Sequence, residues 1–149
     1  MMVVLETPYV KISYLFQVNC LSVSWLMRPT DAVFIEAHVA IVEFLSKNFP
    51  VKLYCTDLTL VGALTKDQET WLATECYNKT YNILNDDFYV AVVFSENHFK
   101  AVVSNYMVPS SETADDYVHF NYFTDQEEAL HWLENIKKGQ DSALFPFAT

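Results

Sequence analysis

Two side chains stand where a sheet with helical crossovers would place acid–base chemistry. Asp57 ends the strand expected at 51–56, and His98 follows the apolar run 88–94 by four residues. Open α/β sheets bind ligands beyond the carboxyl ends of their strands. A carboxylate and an imidazole sharing one substrate could act there as orienting acid and general base. The commoner reading of each is structural. An aspartate at a strand end closes an Asx turn, and a histidine in the first turn of a helix faces solvent. His38, His119 and His131 lie on separate segments, with no i, i+4 pair and no cysteine at ligand spacing, so no metal site is expected. Cys20, Cys55 and Cys76 are widely spaced without a C-x-x-C, as in reduced core thiols. No nucleophile elbow is present. Glu127, Glu128 and the acidic run 112–116 read as dipole-compensating and solvated carboxylates.

Composition narrows the classes further. The chain has 149 residues, 9 basic against 19 acidic, for a net charge of −10. A surface of that sign repels phosphate backbones and anionic membranes, so nucleic acid is not an expected partner. Glycine occurs only at Gly62 and Gly139, which excludes a glycine-rich phosphate cradle, and no cofactor is expected. Hydrophobic residues make up 52% of the chain, enough for the core of one domain. No apolar run is long enough to span a bilayer. The N-terminal M-M-V-V-L-E-T-P lacks the basic region and apolar core of a secretion signal. The expected location is therefore the cytoplasm.

The elements that must position Asp57 and His98 follow from periodicity. Met2 to Leu5 is a short apolar run stopped by Pro8. Residues 9–16 and 20–27 alternate apolar and polar around the turn Gln17-Val18-Asn19, which predicts a hairpin. Thr30 and Asp31 open a helix to about Asn48 with Phe34, Ala37, Ile41, Phe44 and Leu45 as its buried stripe. The next strand is 51–56. Thr65 and Gln68 have capping-box spacing, opening a helix to about Leu84 that carries Trp71, Leu72, Cys76, Ile83 and Leu84 inward, with Tyr77 and Tyr81 on an adjoining face. The seven-residue run F-Y-V-A-V-V-F has no polar face and predicts a central strand covered on both sides. Ser95 caps a helix to about Met107 with Phe99, Val102, Val103 and Tyr106 inward, and 109–116 is a polar loop. A strand at 117–123 precedes a last helix, capped by Thr124 and Glu127, with Ala129, Trp132, Leu133 and Ile136 inward and Gly139 as its stop. The expectation is one α/β domain over 1–139 and an apolar tail over 140–149. Its mixed sheet has about five strands, an antiparallel hairpin followed by parallel strands, with about four helices.

Three stretches carry a resemblance. They are Y-C-T-D-L with the following T-K-D-Q-E-T-W-L, then V-A-V-V-F-S-E-N-H-F, then Y-F-T-D-Q-E-E-A-L-H-W-L. With the hairpin entering an alternating helix and strand series, they resemble the STAS fold of the SpoIIAA-like anti-sigma-factor antagonists, in particular small bacterial STAS-like proteins, over about residues 9–138. The resemblance implies a non-enzymatic protein that presents the loop after a strand, and the helix beyond it, to a protein partner. In that family a serine at the helix start is phosphorylated. Here the matching region, 57–71, lacks the Asp-Ser-Ser-Gly pattern, and Thr65 serves as a cap.

Tyrosines and phenylalanines exceed what a small core readily hides, which marks an interface or a groove. The leading expectation is a protein-interaction or regulatory module using Asp57, Leu58, Thr65, Trp71, Tyr77 and Tyr81, with a protein partner or with itself as a homodimer. The alternative is a binding or sensing protein for a small apolar, lipid-like ligand, with Asp57 and His98 at the ligand edge. An enzyme using Asp57 and His98 is the least favoured of the three.

Overall fold

The computed structural model describes residues 1–47, 50–100 and 116–144. Six strands form one sheet in sequence order: β1 (Met2–Glu6), β2 (Val10–Leu15), β3 (Cys20–Trp25), β4 (Leu53–Asp57), β5 (Phe88–Val93) and β6 (Val118–Phe123). β1, β2 and β3 pair antiparallel, and β3 to β6 run parallel. The α/β class, the hairpin and the parallel series are those expected. The sheet has one more strand, because the run at Met2 pairs with β2 instead of ending at Pro8 as a loose segment. The apolar run at 88–94 is an interior strand paired on both sides, one place from the margin.

The helices are α1 (Asp31–Lys47), α2 (Lys66–Trp71), a π-helical segment Leu72–Cys76, α3 (Tyr77–Leu84), α4 with described residues 96–100, and α5 (Gln126–Leu144). Thr30 Oγ1 accepts from Val33 N–H at 3.3 Å, and the buried residues of α1 are Phe34, Ala37, Ile41, Phe44 and Leu45. Right-handed crossovers between sequential neighbours carry successive helices to one face of a sheet. α1, the π segment and α3 accordingly share a face with the aromatic core of Trp25, Phe34, Tyr54 and Phe88. α5 follows the last strand and is free of that constraint. It covers the other face, placing Ala129 and Leu133 on Cys20, Leu53, Cys55, Ala91 and Val93.

Between Lys66 and Leu84 the buried positions are Gln68, Leu72, Cys76 and Thr80, one every four residues. An α-helix turns in 3.6 residues, so such a stripe slips by about 40° per step. The π segment, where Tyr77 N–H bonds Leu72 O, underwinds the helix and holds the stripe on the sheet. Ile83, expected inward, is therefore exposed. α5 starts one residue later than expected: Asp125 is its cap, accepting from Glu127 N–H at 3.0 Å. It also continues through Gly139, which has no left-handed φ, so the apolar tail expected from residue 140 begins as helix to Leu144. Val102, Val103, Tyr106, Met107 and most of the polar loop at 109–116 lie outside the described residues.

Candidate functional site

Two loops meet at the carboxyl ends of β3 and β4. The first leaves Trp25 and is pinned where Leu26 N–H and Met27 N–H both reach Tyr9 O, at 2.8 and 3.3 Å. Pro29 then directs the chain into the Thr30 cap. The second loop begins at Asp57, whose Oδ1 accepts from Thr59 N–H at 2.9 Å and Thr59 Oγ1 at 2.5 Å, an Asx turn. Leu58 N–H bonds Val93 O at 2.8 Å, and Gly62 N–H turns back to Leu58 O at 2.8 Å. Gly62 has φ +80, and a Cβ there would lie 2.8 Å from His98 Nε2. The turn thus needs glycine for both backbone and space.

Thr65 ends this loop with a complete capping box. Its Oγ1 accepts from Gln68 N–H at 3.1 Å, and Gln68 Oε1 accepts from Thr65 N–H at 3.1 Å. Gln68 Nε2 reaches Asp31 Oδ1 on α1 at 3.4 Å. Arg28 Nη2 donates to Val61 O at 3.2 Å. Between these two bridges lies a cleft of about 290 Å³, lined among others by Arg28, Thr30, Asp31, Gly62, Thr65 and Gln68. Its chemistry is mixed: one guanidinium, one carboxylate, one amide and two hydroxyls stand beside Pro29, Val61, Ala63 and Leu64. Met27 and Leu60 flank the Arg28–Val61 contact, one on each loop, with 51% and 72% of their surface exposed.

Below the cleft an aromatic wedge joins β3, α1 and α2. Trp25 stacks on Phe34 at 5.7 Å, His38 sits 4.4 Å from Phe34, and Trp71 meets His38 edge-on at 6.0 Å. His38 Nδ1 lies 2.9 Å from Phe34 O. Burial lowers its pKa to about 4, because a charged ring there would lose its water, and the Phe34 carbonyl offsets only part of that. The Trp25 indole N–H is buried without a partner among the described residues.

The residues singled out in the sequence do not form one surface. Thr65 lines the cleft, and Trp71 lies in the wedge beneath it. Leu58 is 2% exposed and belongs to the core, so its side chain is not available to a partner. Tyr77 packs between Phe88 and Phe120, and burial pushes its hydroxyl pKa up. Tyr81 stacks on Tyr117 at 4.3 Å. His98 Nδ1 pairs with Ser95 Oγ at 3.0 Å, so His98 and Asp57 each bond within their own turn and not to each other. Burial raises the thiols of Cys55 and Cys76 to about 12 and about 11. Among the described residues no three His, Cys, Asp or Glu side chains are grouped to hold a metal ion. No described helix is long and apolar enough to cross a membrane.

Sequence reasoning passed over Arg28, Asp31 and Gln68. Arg28 read as part of a strand break, and Gln68 only as a cap. The usable signal was two capping sequences, at Thr30 and Thr65, each closely following a strand of one parallel pair, since such caps must meet at one edge of the sheet. No known protein family, curated protein or solved structure matches the chain.

Proposed function

We propose that this chain is a non-enzymatic, cytoplasmic STAS-like interaction module that docks a protein partner on the rim of the cleft between residues 28–31 and 61–68. The observation that carries this reading is the pair of exposed apolar side chains, Met27 and Leu60, on either side of Arg28. Arginine beside exposed apolar surface is the composition of binding hot spots. The loop after β4 and the helix it opens are also the elements that the STAS resemblance assigns to partner contact. Two further bridges, Gln68 to Asp31 and the Thr65 capping box, hold the rim in shape before any partner arrives. That lowers the ordering penalty of binding.

The guanidinium of Arg28 and the carboxylate of Asp31 in the cleft wall favour docking over storage of an apolar ligand, whose site carries few polar groups. The test is affinity capture from cell extract with the wild type and with Arg28→Glu and Leu60→Asp, read by quantitative mass spectrometry. A protein held by the wild type and lost at least tenfold by both variants is the expected result. Identical captured sets for all three chains overturn the reading.

A further inference from the structure

The two margins of the sheet differ. β1 is irregular: its pairing with β2 shifts between Val3 and Leu5, and Pro8 stands two residues beyond the strand. Bulges and nearby prolines are the devices that keep a sheet edge from pairing with another chain. β6 has none of them. It pairs with β5 through six consecutive residues without a shift, from Phe88↔Val118 to Val93↔Phe123.

The direction of its free groups follows from the ladder. Phe88 N–H donates to Tyr117 O and Phe94 N–H to Phe123 O, both at 2.9 Å. In a parallel ladder alternate residues face the neighbour. His119 and Asn121 therefore turn their backbone groups to β5, and Val118, Phe120 and Tyr122 turn theirs outward. Among the described residues, the one hydrogen bond of those outward groups is Tyr122 N–H to Asn121 Oδ1 at 2.9 Å, a local substitute for a strand partner. The side chains of Phe120 and Tyr122 are 43% and 39% exposed beside Tyr77 and Phe94.

We infer that the outer edge of β6 pairs antiparallel with β6 of a second copy, about a two-fold axis through Phe120, to make one twelve-stranded sheet. Outward groups at three alternate positions are self-complementary under that axis. Phe120 faces its own equivalent, and Val118 faces Tyr122 of the other chain. Apolar side chains then meet in pairs on the face that already holds Tyr77. Charge selects a second copy over a charged partner. The chain carries −10 overall, yet residues 117–123 contain no carboxylate, lysine or arginine. This is a stretch where two such acidic molecules meet without like charges opposed. α5 packs on the opposite face of the sheet from Phe120, where its Trp132 lies 5.8 Å from Phe123 of β6. The surface is separate from the cleft, so variants of Arg28 and Leu60 leave it intact.

The test is sedimentation velocity of the full chain at micromolar concentrations. The wild type is expected at the mass of two chains. Phe120→Pro is expected at the mass of one, with an unchanged far-UV circular dichroism spectrum, because proline is tolerated where the N–H faces away from the sheet. Should Phe120→Pro fail to fold, Phe120→Lys carries the same expectation with its backbone donor kept. Mild oxidation fixes the register. Phe120→Cys is expected to crosslink two chains, since residues in a hydrogen-bonded antiparallel pair have Cα atoms about 5.5 Å apart. Val118→Cys alone and Tyr122→Cys alone are expected to stay uncrosslinked. A wild type sedimenting as one chain overturns the inference. So does a two-chain mass retained by a folded Phe120→Pro or by Phe120→Lys, or a crosslink that prefers position 118 or 122 to position 120.

Discussion

The two faces of the sheet are built from different materials. One buries Trp25, Phe34, Tyr54 and Phe88 under α1, the π segment and α3. The other buries Cys20, Cys55, Ala91 and Ala129 with Leu53, Val93 and Leu133 under α5, the one helix on that face among the described residues. Topology explains the asymmetry. Every crossover between sequential parallel neighbours returns on the same side, so that side receives several helices and needs large residues to fill the space. Among the described residues the opposite side receives the helix that closes no crossover, and small residues let that helix approach closely. The candidate cleft lies at the end of the aromatic face, where α1 and α2 begin, and the wedge of Trp25, Phe34, His38 and Trp71 supports it from beneath.

Truncation tests this difference most strongly. Phe88→Ala should destabilise the protein by about 3–5 kcal/mol, and Leu133→Ala by an amount toward the lower end of about 2–5 kcal/mol, because a single helix can settle over the smaller gap. Urea denaturation of both variants measures this. Equal losses, or a larger loss for Leu133→Ala, would mean that the α5 layer carries as much of the stability as the aromatic one.

A smaller effect separates the faces by pH. His38 on the aromatic face titrates near 4 when folded, against an ordinary value of 6.5. Between those values the unfolded chain binds more protons than the folded one, so stability rises with pH across that window. Acidification to pH 4 should remove about 3 kcal/mol on this account. His38→Phe should remove that part of the slope while leaving the carboxylate contribution. A slope unchanged in His38→Phe would show that the wedge does not exclude water from the ring.

At the cleft, Gly62→Ala should cost about 1–3 kcal/mol through the left-handed φ and the approach to His98. Adding His98→Ala should recover the steric part and not the backbone part. Additive losses in that double-mutant cycle would show that the ring does not rest on Gly62. The least costly probe changes no residue at all. In low urea a thiol reagent should label Cys20 and Cys55 before Cys76, because all three are buried and the single-helix layer opens first. Labelling of Cys76 first would reverse the comparison.

Particular residues show where local pattern was enough. The stripe of α1 was legible in full, since one amphipathic helix on one sheet face must bury residues at three- and four-residue spacing. The run at 88–94 was legible because a strand covered on both faces has no polar alternation. Three features were not. Gly139 looked like a helix stop, yet α5 continues past it, because a glycine in the right-handed region ends nothing. The stripe from Gln68 to Thr80 contains two polar residues, so its four-residue period was hidden until the π segment revealed it. The cleft joins residues nearly forty positions apart, and neither Arg28 nor Gln68 advertises its partner locally.

Composition and periodicity by themselves determined the α/β class, the hairpin, the parallel series and the main helix stripes, because each rests on the alternation of apolar side chains within one element. The tertiary structure alone decided that β1 joins the sheet, that α5 takes the face opposite the crossovers, and that Arg28, Asp31 and Gln68 meet at a cleft. Those outcomes depend on contacts between elements distant in the chain, and no local pattern encodes which surfaces will face each other once the sheet has closed its order.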